Sequence, residues 1–296
     1  MLGTARTARK RLLPAILRSG QSIVAIAGRD PARLAGFQTE FGIPHAFPWD
    51  QAQRVLDHRG VDAVYIPLPN SMHAEWTVRA LEAGKQVLCE KPLTLTVAEA
   101  DRVAAAALAC NRVLMENFSY QLSPAYRDLP PLDALQSIDI HQSFFATEDH
   151  NLRYIRELGG GSFLDVGCYG VDFVHRLLDS EIEIAEVIAS PPAPERGAPG
   201  LIDHASIESR KVDETCVLRG RAAGIAISIT SSFAQPSRQD YTLHFAAGEQ
   251  HQIVRTANPV ALLDALAAAS RTDPADILRW RRNASVYEQA LERMQY

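Results

Sequence analysis

Residues 61–92 read VDAVYIPLPNSMHAEWTVRALEAGKQVLCEKP. The apolar run at residues 61–66 predicts a buried strand, and residues 86–89 predict a second one. Between them, residues 73–83 have the spacing of an amphipathic helix, which Gly84 ends. Two strands joined by a helix form a right-handed crossover, so this stretch predicts a parallel sheet.

The same alternation of strands and helices extends to both sides of this stretch. We predict helices at residues 5–19, 31–41 and 97–110, and strands at residues 22–27 and 112–116. We therefore expect residues 1–117 to form an α/β domain of the Rossmann type, built on a parallel sheet.

The pattern changes in the second half of the chain, where strands follow one another directly. We predict strands at residues 138–145, 184–190, 214–219, 225–233 and 241–245, and helices at residues 163–178, 260–270 and 274–294. This order indicates an α+β substrate domain over residues 118–296, with a large, mostly antiparallel open sheet. The two C-terminal helices are candidates to pack back on the first domain.

Composition limits the partners of the protein. The chain has 296 residues, 47% of them hydrophobic, and a formal net charge of −5, which gives no reason to expect nucleic acid or an anionic membrane as partner. No apolar run approaches the roughly 20 residues that cross a bilayer. The four cysteines are too far apart in sequence to suggest a zinc site, so no metal is predicted. We expect a cytoplasmic protein with a small-molecule ligand.

A helix begins soon after Gly3-Thr4-Ala5-Arg6, close to the start of the sequence. Backbone amides at the start of a helix attract a pyrophosphate, and small residues let it approach closely. However, alanines stand at two of the three glycine positions of the usual dinucleotide fingerprint. An ordinary helix start is therefore the better explanation of this segment taken alone.

Glu90 and Lys91 follow the predicted strand at residues 86–89 directly. They lie at the carboxyl edge of the sheet, where open α/β sheets bind ligands. A surface ion pair would be the ordinary explanation of these two residues taken alone.

Three glycines open the segment GGGSFLDVGCY at residues 159–169. Glycines give a loop the freedom to approach a ligand, and the helix that follows places Asp165 and Tyr169 one turn apart on one face. A glycine-rich turn before a core helix with a buried tyrosine explains the segment equally well.

Taken together, these segments resemble one protein family. Residues 69–73 (PNSMH) and 83–92 (AGKQVLCEKP) resemble the PNxxH and AGKxVxxEKP motifs of the Gfo/Idh/MocA oxidoreductases. Residues 159–169 resemble its GGGxxxDxGxY motif, in the version of glucose-fructose oxidoreductase and of the dihydrodiol and xylose dehydrogenases. The resemblance extends over almost the whole chain.

The resemblance makes residues 1–117 the dinucleotide-binding domain, and it implies hydride transfer between a nicotinamide and a CH–OH group of a sugar, cyclitol or sugar derivative. It makes Lys91 and Tyr169 catalytic, with Asp165 assisting, and places Glu90 near the nicotinamide. The chemistry is reasonable, because a tyrosine with its usual pKa near 10 is a poor base at neutral pH. A lysine cation beside the substrate oxygen favours both the phenolate and the developing alkoxide.

The resemblance and the position of these segments imply contacts to both ligands. Cofactor contacts are expected from Gly3, Thr4, Ala5, Arg6, Arg29, Leu68, Pro69, Asn70, His73, Glu90 and Lys91. Substrate contacts are expected from Lys91, Asn117, Arg153, Asp165 and Tyr169. Two alternatives stay open, since His73 would also serve as a helix cap and Arg153, in the element Asn151-Leu152-Arg153, as a surface residue. Residues 121–124 (QLSP) depart from the family's RxHP pattern, so the exact substrate stays open.

The choice of cofactor depends on Arg29 and Asp30, which follow the strand at residues 22–27. At this position of a Rossmann fold, an acid binds the ribose of NAD, whereas an arginine accommodates the 2′-phosphate of NADP. Asp30 precedes Pro31 and is expected to be the N-cap of the next helix, which leaves the ribose to Arg29. We therefore expect NADP, with NAD as the alternative.

The start of the sequence departs from the family pattern, because only Met1 and Leu2 precede Gly3 where relatives have a longer central strand. We therefore expect either a start upstream of Met1 or a weakened cofactor site. The second possibility makes a catalytically silent regulator or scaffold protein the alternative function. The open antiparallel sheet makes a homo-oligomer, a dimer or a tetramer, plausible.

Overall fold

The computed structural model describes residues 1–146, 152–192, 212–254 and 259–294. The chain divides into two compact units. The first contains Met1–Leu93, Ala98–Leu122 and Ala257–Ile277, and the second contains Thr94–Val97, Ser123–Thr256 and Leu278–Tyr296. In the described residues, no helix has the length and apolar character needed to span a membrane.

The first unit is built on parallel strands. They are β1 (Ala25–Gly28), β2 (His45–Pro48), β3 (Ala63–Ile66), β4 (Gln86–Cys89) and β5 (Leu114–Glu116). β1 pairs with β2, while β3 and β5 pair with the two sides of β4, and every pair is parallel. The predicted parallel sheet is confirmed. β2 was not predicted, because its four residues are exposed or half-buried and lack an apolar run.

Met1 and Leu2 lie between β1 and β3 and connect the two groups of strands. On one side, Ala27 donates its backbone N–H to the Met1 carbonyl, at 3.0 Å, and Gly3 donates to the Ala27 carbonyl, at 2.7 Å. On the other side, Leu2 donates to the Tyr65 carbonyl, at 3.0 Å. These two residues therefore extend the parallel pairing between β1 and β3 and hold the start of the turn at Gly3.

Helices cover the sheet of the first unit. They are a π-helical turn at Ala8–Leu12, α1 (Leu13–Arg18), α2 (Pro31–Phe41), α3 (Gln53–Asp57), α4 (His73–Glu82), α5 (Val97–Cys110) and α8 (Pro259–Ala268). Their apolar side chains form a core with the strands, in which Leu13, Ile26 and Phe37 are buried. Leu262 and Leu263 of α8 belong to the same core, so this C-terminal helix packs within the first unit.

The second unit is built on a six-stranded sheet. Its strands are β6 (Leu135–Phe145), β7 (Glu183–Ser190), β8 (Thr215–Ala222), β9 (Ile225–Ser232), β10 (Ala234–Phe245) and β11 (Gln250–Val254). The order is β11-β10-β6-β9-β8-β7, and all pairs are antiparallel except β6 with β9. The mostly antiparallel sheet is as predicted. β11 and the first half of β10 were missed, because polar residues dominate them.

The helices of the second unit are α6 (Pro124–Arg127), a π-helical turn at Phe163–Gly167 that continues into α7 (Cys168–Leu178), and most of α9 (Pro274–Arg293). A buried polar network joins α7 to α9. The fully buried Asp172 accepts hydrogen bonds from Arg279 Nε at 3.0 Å and Asn283 Nδ2 at 3.1 Å. Asn283 Oδ1 lies 2.7 Å from His175 Nδ1. Because a buried carboxylate needs such donors, this network fixes the position of α7.

The network predicts that stability depends on pH through His175. Burial lowers the pKa of this histidine below its ordinary value of 6.5, and its hydrogen bond to Asn283 only partly opposes the shift. As the pH falls below 6.5, the unfolded chain binds the proton first, so the free energy of unfolding decreases. The slope from one group is at most about 1.4 kcal/mol per pH unit.

Urea unfolding of the wild type and of His175→Gln at pH 7.5 and 5.5 measures this contribution. The glutamine amide can still donate to Asn283 but does not titrate, so the variant should lose less stability between the two pH values. Equal losses in both proteins would contradict the assignment.

Candidate active site

Gly3 and Gly28 bring backbone segments close together at the predicted phosphate turn. Gly3 has φ +96°, and a Cβ there would lie 3.0 Å from the Leu68 side chain and 3.3 Å from the Pro67 carbonyl oxygen. A Cβ at Gly28 would lie 2.8 Å from the Thr4 side chain. Any larger residue would push these segments apart, so glycine is needed at both positions. The helix starts immediately after this turn, at Arg6.

Asp30 is the N-cap of α2, as predicted. Its Oδ1 accepts hydrogen bonds from the backbone N–H groups of Ala32 and Arg33, at 2.9 and 3.1 Å. Arg29 lies beside it at the end of β1 and is exposed. Arg33 was not predicted as a site residue, and its Nη2 donates to the Thr4 carbonyl at 3.0 Å. Its position one helical turn after Arg29 is the only signal that could have suggested it.

His73 connects two loops of the first unit. It is fully buried, and its ring nitrogens each lie 2.8 Å from a backbone carbonyl oxygen, Nδ1 from that of Pro92 and Nε2 from that of Leu68. Burial lowers its pKa, an effect that the two carbonyl groups oppose. The expectation that His73 caps its helix is therefore wrong, because the N-cap of α4 is Met72. The contact of His73 with a cofactor stays a prediction.

The loop between β3 and α4 contains Leu68, Pro69 and Asn70, all partly buried. Asn70 begins a short 3-10 helix, Asn70–Met72, which leads directly into α4. The contact of Leu68 with Gly3 and the hydrogen bond of its carbonyl to His73 hold this loop against the phosphate turn.

Glu90 is held by two side chains at the carboxyl end of β4. Its Oε1 accepts hydrogen bonds from the Tyr65 hydroxyl and from Asn117 Nδ2, each at 2.6 Å. Its backbone N–H donates to the Ile66 carbonyl at 3.1 Å, which fixes the start of the turn that carries Lys91. Tyr65 was not predicted, because it lies in an apolar strand pattern. Asn117, expected to contact substrate, is bonded to Glu90 here.

The glycine segment of the second unit packs against its own chain. A Cβ at Gly160 would lie 2.6 Å from the Arg153 carbonyl oxygen, and a Cβ at Gly161 would collide with the Asp213 carboxylate. These contacts explain both glycines without a ligand. At these two positions they favour the alternative explanation, a glycine-rich turn before a core helix.

Asp165 and Tyr169 lie four residues apart on the helical stretch that follows the glycines. Asp165 Oδ2 accepts a hydrogen bond of 2.6 Å from Arg153 Nε, in a partly buried ion pair. The Asp165 charge raises the pKa of Arg153, so both groups are charged. The Arg153 guanidinium also lies 5.4 Å from the centre of the Phe144 ring. Tyr169 is 8% exposed.

The predicted site residues thus form two groups. In the first unit lie the phosphate turn, Arg29, the loop after β3, the pair Glu90 and Lys91, and Asn117. Arg153, Asp165 and Tyr169 lie in the second unit. Asn151, the first residue of the element Asn151-Leu152-Arg153, is outside the described residues.

Comparison with known proteins identifies the family. Residues 1–118 match the model of the Gfo/Idh/MocA oxidoreductase family, described as having an NAD-binding Rossmann fold. Residues 132–251 match the model of the Gfo/Idh/MocA C-terminal domain. The two matched ranges contain all of the predicted site residues.

Individual relatives agree with this match. The D-xylose 1-dehydrogenase (NADP(+)) 2 of Haloferax volcanii is 32% identical, with 99% of this chain and 88% of the relative covered. The dTDP-3,4-didehydro-2,6-dideoxy-alpha-D-glucose 3-reductase of Saccharopolyspora spinosa is 40% identical, over 57% of this chain and 52% of the relative.

Solved structures share the fold over nearly the full length. A 3-ketoreductase from Actinomadura kijaniata, in complex with NADP and TDP-benzene, has a TM-score of 0.82 at 23% identity, with 99% of this chain and 96% of that chain covered. The myo-inositol 2-dehydrogenase of Lactobacillus plantarum also has a TM-score of 0.82, at 16% identity, with 98% and 95% covered. The chain therefore belongs to the Gfo/Idh/MocA family of oxidoreductases.

Proposed function

We propose that this protein is an NADP-dependent oxidoreductase that interconverts a CH–OH group and a carbonyl group on a sugar, a cyclitol or a sugar derivative. The observation that carries the proposal is the Glu90-Lys91 turn, which Tyr65 and Asn117 hold at the carboxyl end of β4. That edge is where α/β sheets bind their ligands. The xylose dehydrogenase relative, whose name specifies NADP and a sugar, supports this substrate class.

The first unit has the features that a dinucleotide needs. Gly3 and Gly28 carry no Cβ. An added Cβ would fill the space beside Leu68 at Gly3 and the space beside Thr4 at Gly28. The amides at the following helix start would bind the pyrophosphate. Arg29, exposed at the end of β1, would bind the 2′-phosphate of NADP through its planar guanidinium. Bound NADP supplies or accepts the hydride.

The remaining chemistry is a proton transfer and the stabilisation of charge. In the oxidation direction, the Tyr169 oxygen would take the proton of the substrate hydroxyl while hydride leaves the carbon that bears this hydroxyl. In the reduction direction, Tyr169 would return that proton. Lys91 would supply the cation that stabilises the phenolate and the alkoxide. Asp165, ionised beside Arg153, would accept a hydrogen bond from a neighbouring substrate hydroxyl.

We expect Lys91→Ala and Tyr169→Phe each to lower kcat by at least ~100-fold, the scale of lost acid–base or electrostatic catalysis. Activity is measured as the change in nicotinamide absorbance, with a panel of pentoses, hexoses and cyclitols. Circular dichroism and NADPH fluorescence titration verify that each variant folds and binds cofactor. Wild-type kcat in either folded variant would refute the assigned roles.

We expect Arg29→Ala to weaken NADPH binding by ~1.5–3 kcal/mol, the value of a charge-assisted hydrogen bond, and to leave NADH binding almost unchanged. Arg33→Ala is the matched control. Arg33 holds the Thr4 carbonyl at the phosphate turn, so its loss should weaken both cofactors equally. Fluorescence titration of both variants with both cofactors measures the difference. Equal losses for the two cofactors in Arg29→Ala would rule out the NADP preference.

We also propose that the open face of the six-stranded sheet joins two copies of the chain. The face opposite the helices carries polar contacts between neighbouring strands. Arg219 forms an ion pair with Glu186 at 2.7 Å, and His244 Nε2 lies 2.8 Å from Asp139 Oδ2. The exposed Ile188 lies on the same face. Charged groups of both signs on one surface allow two identical faces to complement each other around a twofold axis.

Light scattering after size exclusion tests this oligomer. We expect the wild type to be at least a dimer and Arg219→Glu to shift it toward the monomer, because the change places like charges together. Arg102→Glu, an equal charge change on the exposed side of α5, should keep the wild-type mass. A monomeric wild type, or an unchanged mass for Arg219→Glu, would contradict the proposal.

A further inference from the structure

A buried carboxylate outside the recognised motifs holds the start of the helical stretch that carries Asp165 and Tyr169. Asp213 is 1% exposed and lies just before β8. Its Oδ2 accepts hydrogen bonds from the Ser162 hydroxyl and from the Phe163 backbone N–H, each at 2.7 Å. Its backbone carbonyl accepts a third, from the Ser162 N–H at 2.9 Å.

Asp213 acts as the N-cap of this helical stretch, because the residue that precedes the stretch makes no side-chain cap hydrogen bond. Ser162 precedes the π-helical turn at Phe163–Gly167 but makes no side-chain cap hydrogen bond to it, and its hydroxyl donates to Asp213 instead. The first N–H groups of a helix need acceptors, and a negative charge near them is favourable. Asp213 supplies the acceptor and the charge from a distant part of the sequence.

The same anchor extends to the partner of Asp165. Gly161 donates its backbone N–H to the Arg153 carbonyl at 2.8 Å, and Asp165 donates its own to the Gly161 carbonyl at 3.1 Å. Arg153 in turn binds the Asp165 carboxylate through its side chain. Because a Cβ at Gly161 would collide with Asp213, the glycine is needed for this contact. Asp213, the glycine loop and the Arg153–Asp165 pair are therefore one connected arrangement.

Burial raises the pKa of Asp213 above its ordinary value of 3.8, and its hydrogen bonds only partly oppose this shift. An ionised carboxylate in this position is therefore unfavourable by itself and depends on its donors. A loss of these hydrogen bonds would release the start of the helix and the carboxylate together.

We propose that Asp213 is a positioning residue that sets the placement of Asp165 and Tyr169 and thereby determines kcat without contributing to cofactor binding. The proposal rests on the proposed function, because it assigns Asp213 to the reaction that Tyr169 performs. Displacements of about 1 Å at reacting groups lower rates by up to about 100-fold.

The test compares Asp213→Asn with Glu214→Gln. Both changes remove one carboxylate charge from neighbouring buried residues, but the Glu214 carboxylate lies 3.5 Å from the Tyr154 hydroxyl and Asp213 binds the helix start. We expect Asp213→Asn to lower kcat at least ~10-fold while KM and the Kd for NADPH stay within about twofold of wild type. Glu214→Gln should keep kcat within about twofold.

Hydrogen exchange provides a second measurement that needs no activity. We expect the amides of residues 163–169 to exchange at least ~10-fold faster in Asp213→Asn than in the wild type and in Glu214→Gln, because the helix start loses its anchor. Ser162→Ala removes one of the three hydrogen bonds and should change both kcat and exchange in the same direction by less. If Asp213→Asn does not fold, Ser162→Ala still tests the proposal.

The two measurements separate the possible failures. Unchanged exchange at residues 163–169 in a folded Asp213→Asn would overturn the anchoring itself. Faster exchange with wild-type kcat, or an equal loss of kcat in Glu214→Gln, would overturn the role in turnover. A wild type without turnover on any sugar, but with faster exchange in Asp213→Asn, would refute the proposed function and leave only a structural anchor.

Discussion

Carboxylates that are withdrawn from water need hydrogen-bond donors, and this constraint organises the polar parts of both units. Glu90 receives a hydroxyl and an amide, Asp165 a guanidinium, and Asp213 a hydroxyl and a backbone N–H. Asp172, fully buried, receives Arg279 and Asn283. Each acid stands beside, or belongs to, an element that carries a predicted functional residue, so the donors that satisfy the acids also fix these elements.

The fold was largely predictable because its signals are local. The strand–helix–strand pattern of residues 61–92 and the glycine after α4 depend on neighbours in sequence, and β3, α4 and β4 lie where the pattern indicated. Capping is local too, and the prediction for Asp30 is confirmed because its acceptor oxygen bonds to N–H groups two and three residues away. Strands without an apolar run, such as β2 and β11, give no such signal, since their pairing partners in space determine where they form.

Distant partners also explain what was missed or mistaken at the candidate site. The ring of His73 bonds to the Pro92 carbonyl, 19 residues away, so no local pattern could show that the ring is enclosed. Tyr65 belongs to an apolar strand, and its hydroxyl meets Glu90 only through the pairing of β3 with β4. Asp213 lies 50 residues from Phe163, whose backbone N–H donates a hydrogen bond to it. The residue types indicated the chemistry. The groups that hold these residues in place are distant in sequence, and only the topology of the fold brings them together.

The charges of the second group bear on the kind of substrate that the proposed function requires. Arg153 and Asp165 form an ion pair, so their charges balance, and the group that contains Tyr169 offers no net charge of its own. A phosphate or a carboxylate bound there would be repelled by the Asp165 carboxylate as well as attracted by the Arg153 guanidinium, so it would gain little from the pair. A neutral hydroxylated carbon meets no such repulsion, because a hydroxyl can donate to Asp165 while the pair remains intact. The ion pair thus favours an uncharged polyol group at the reacting end of the substrate.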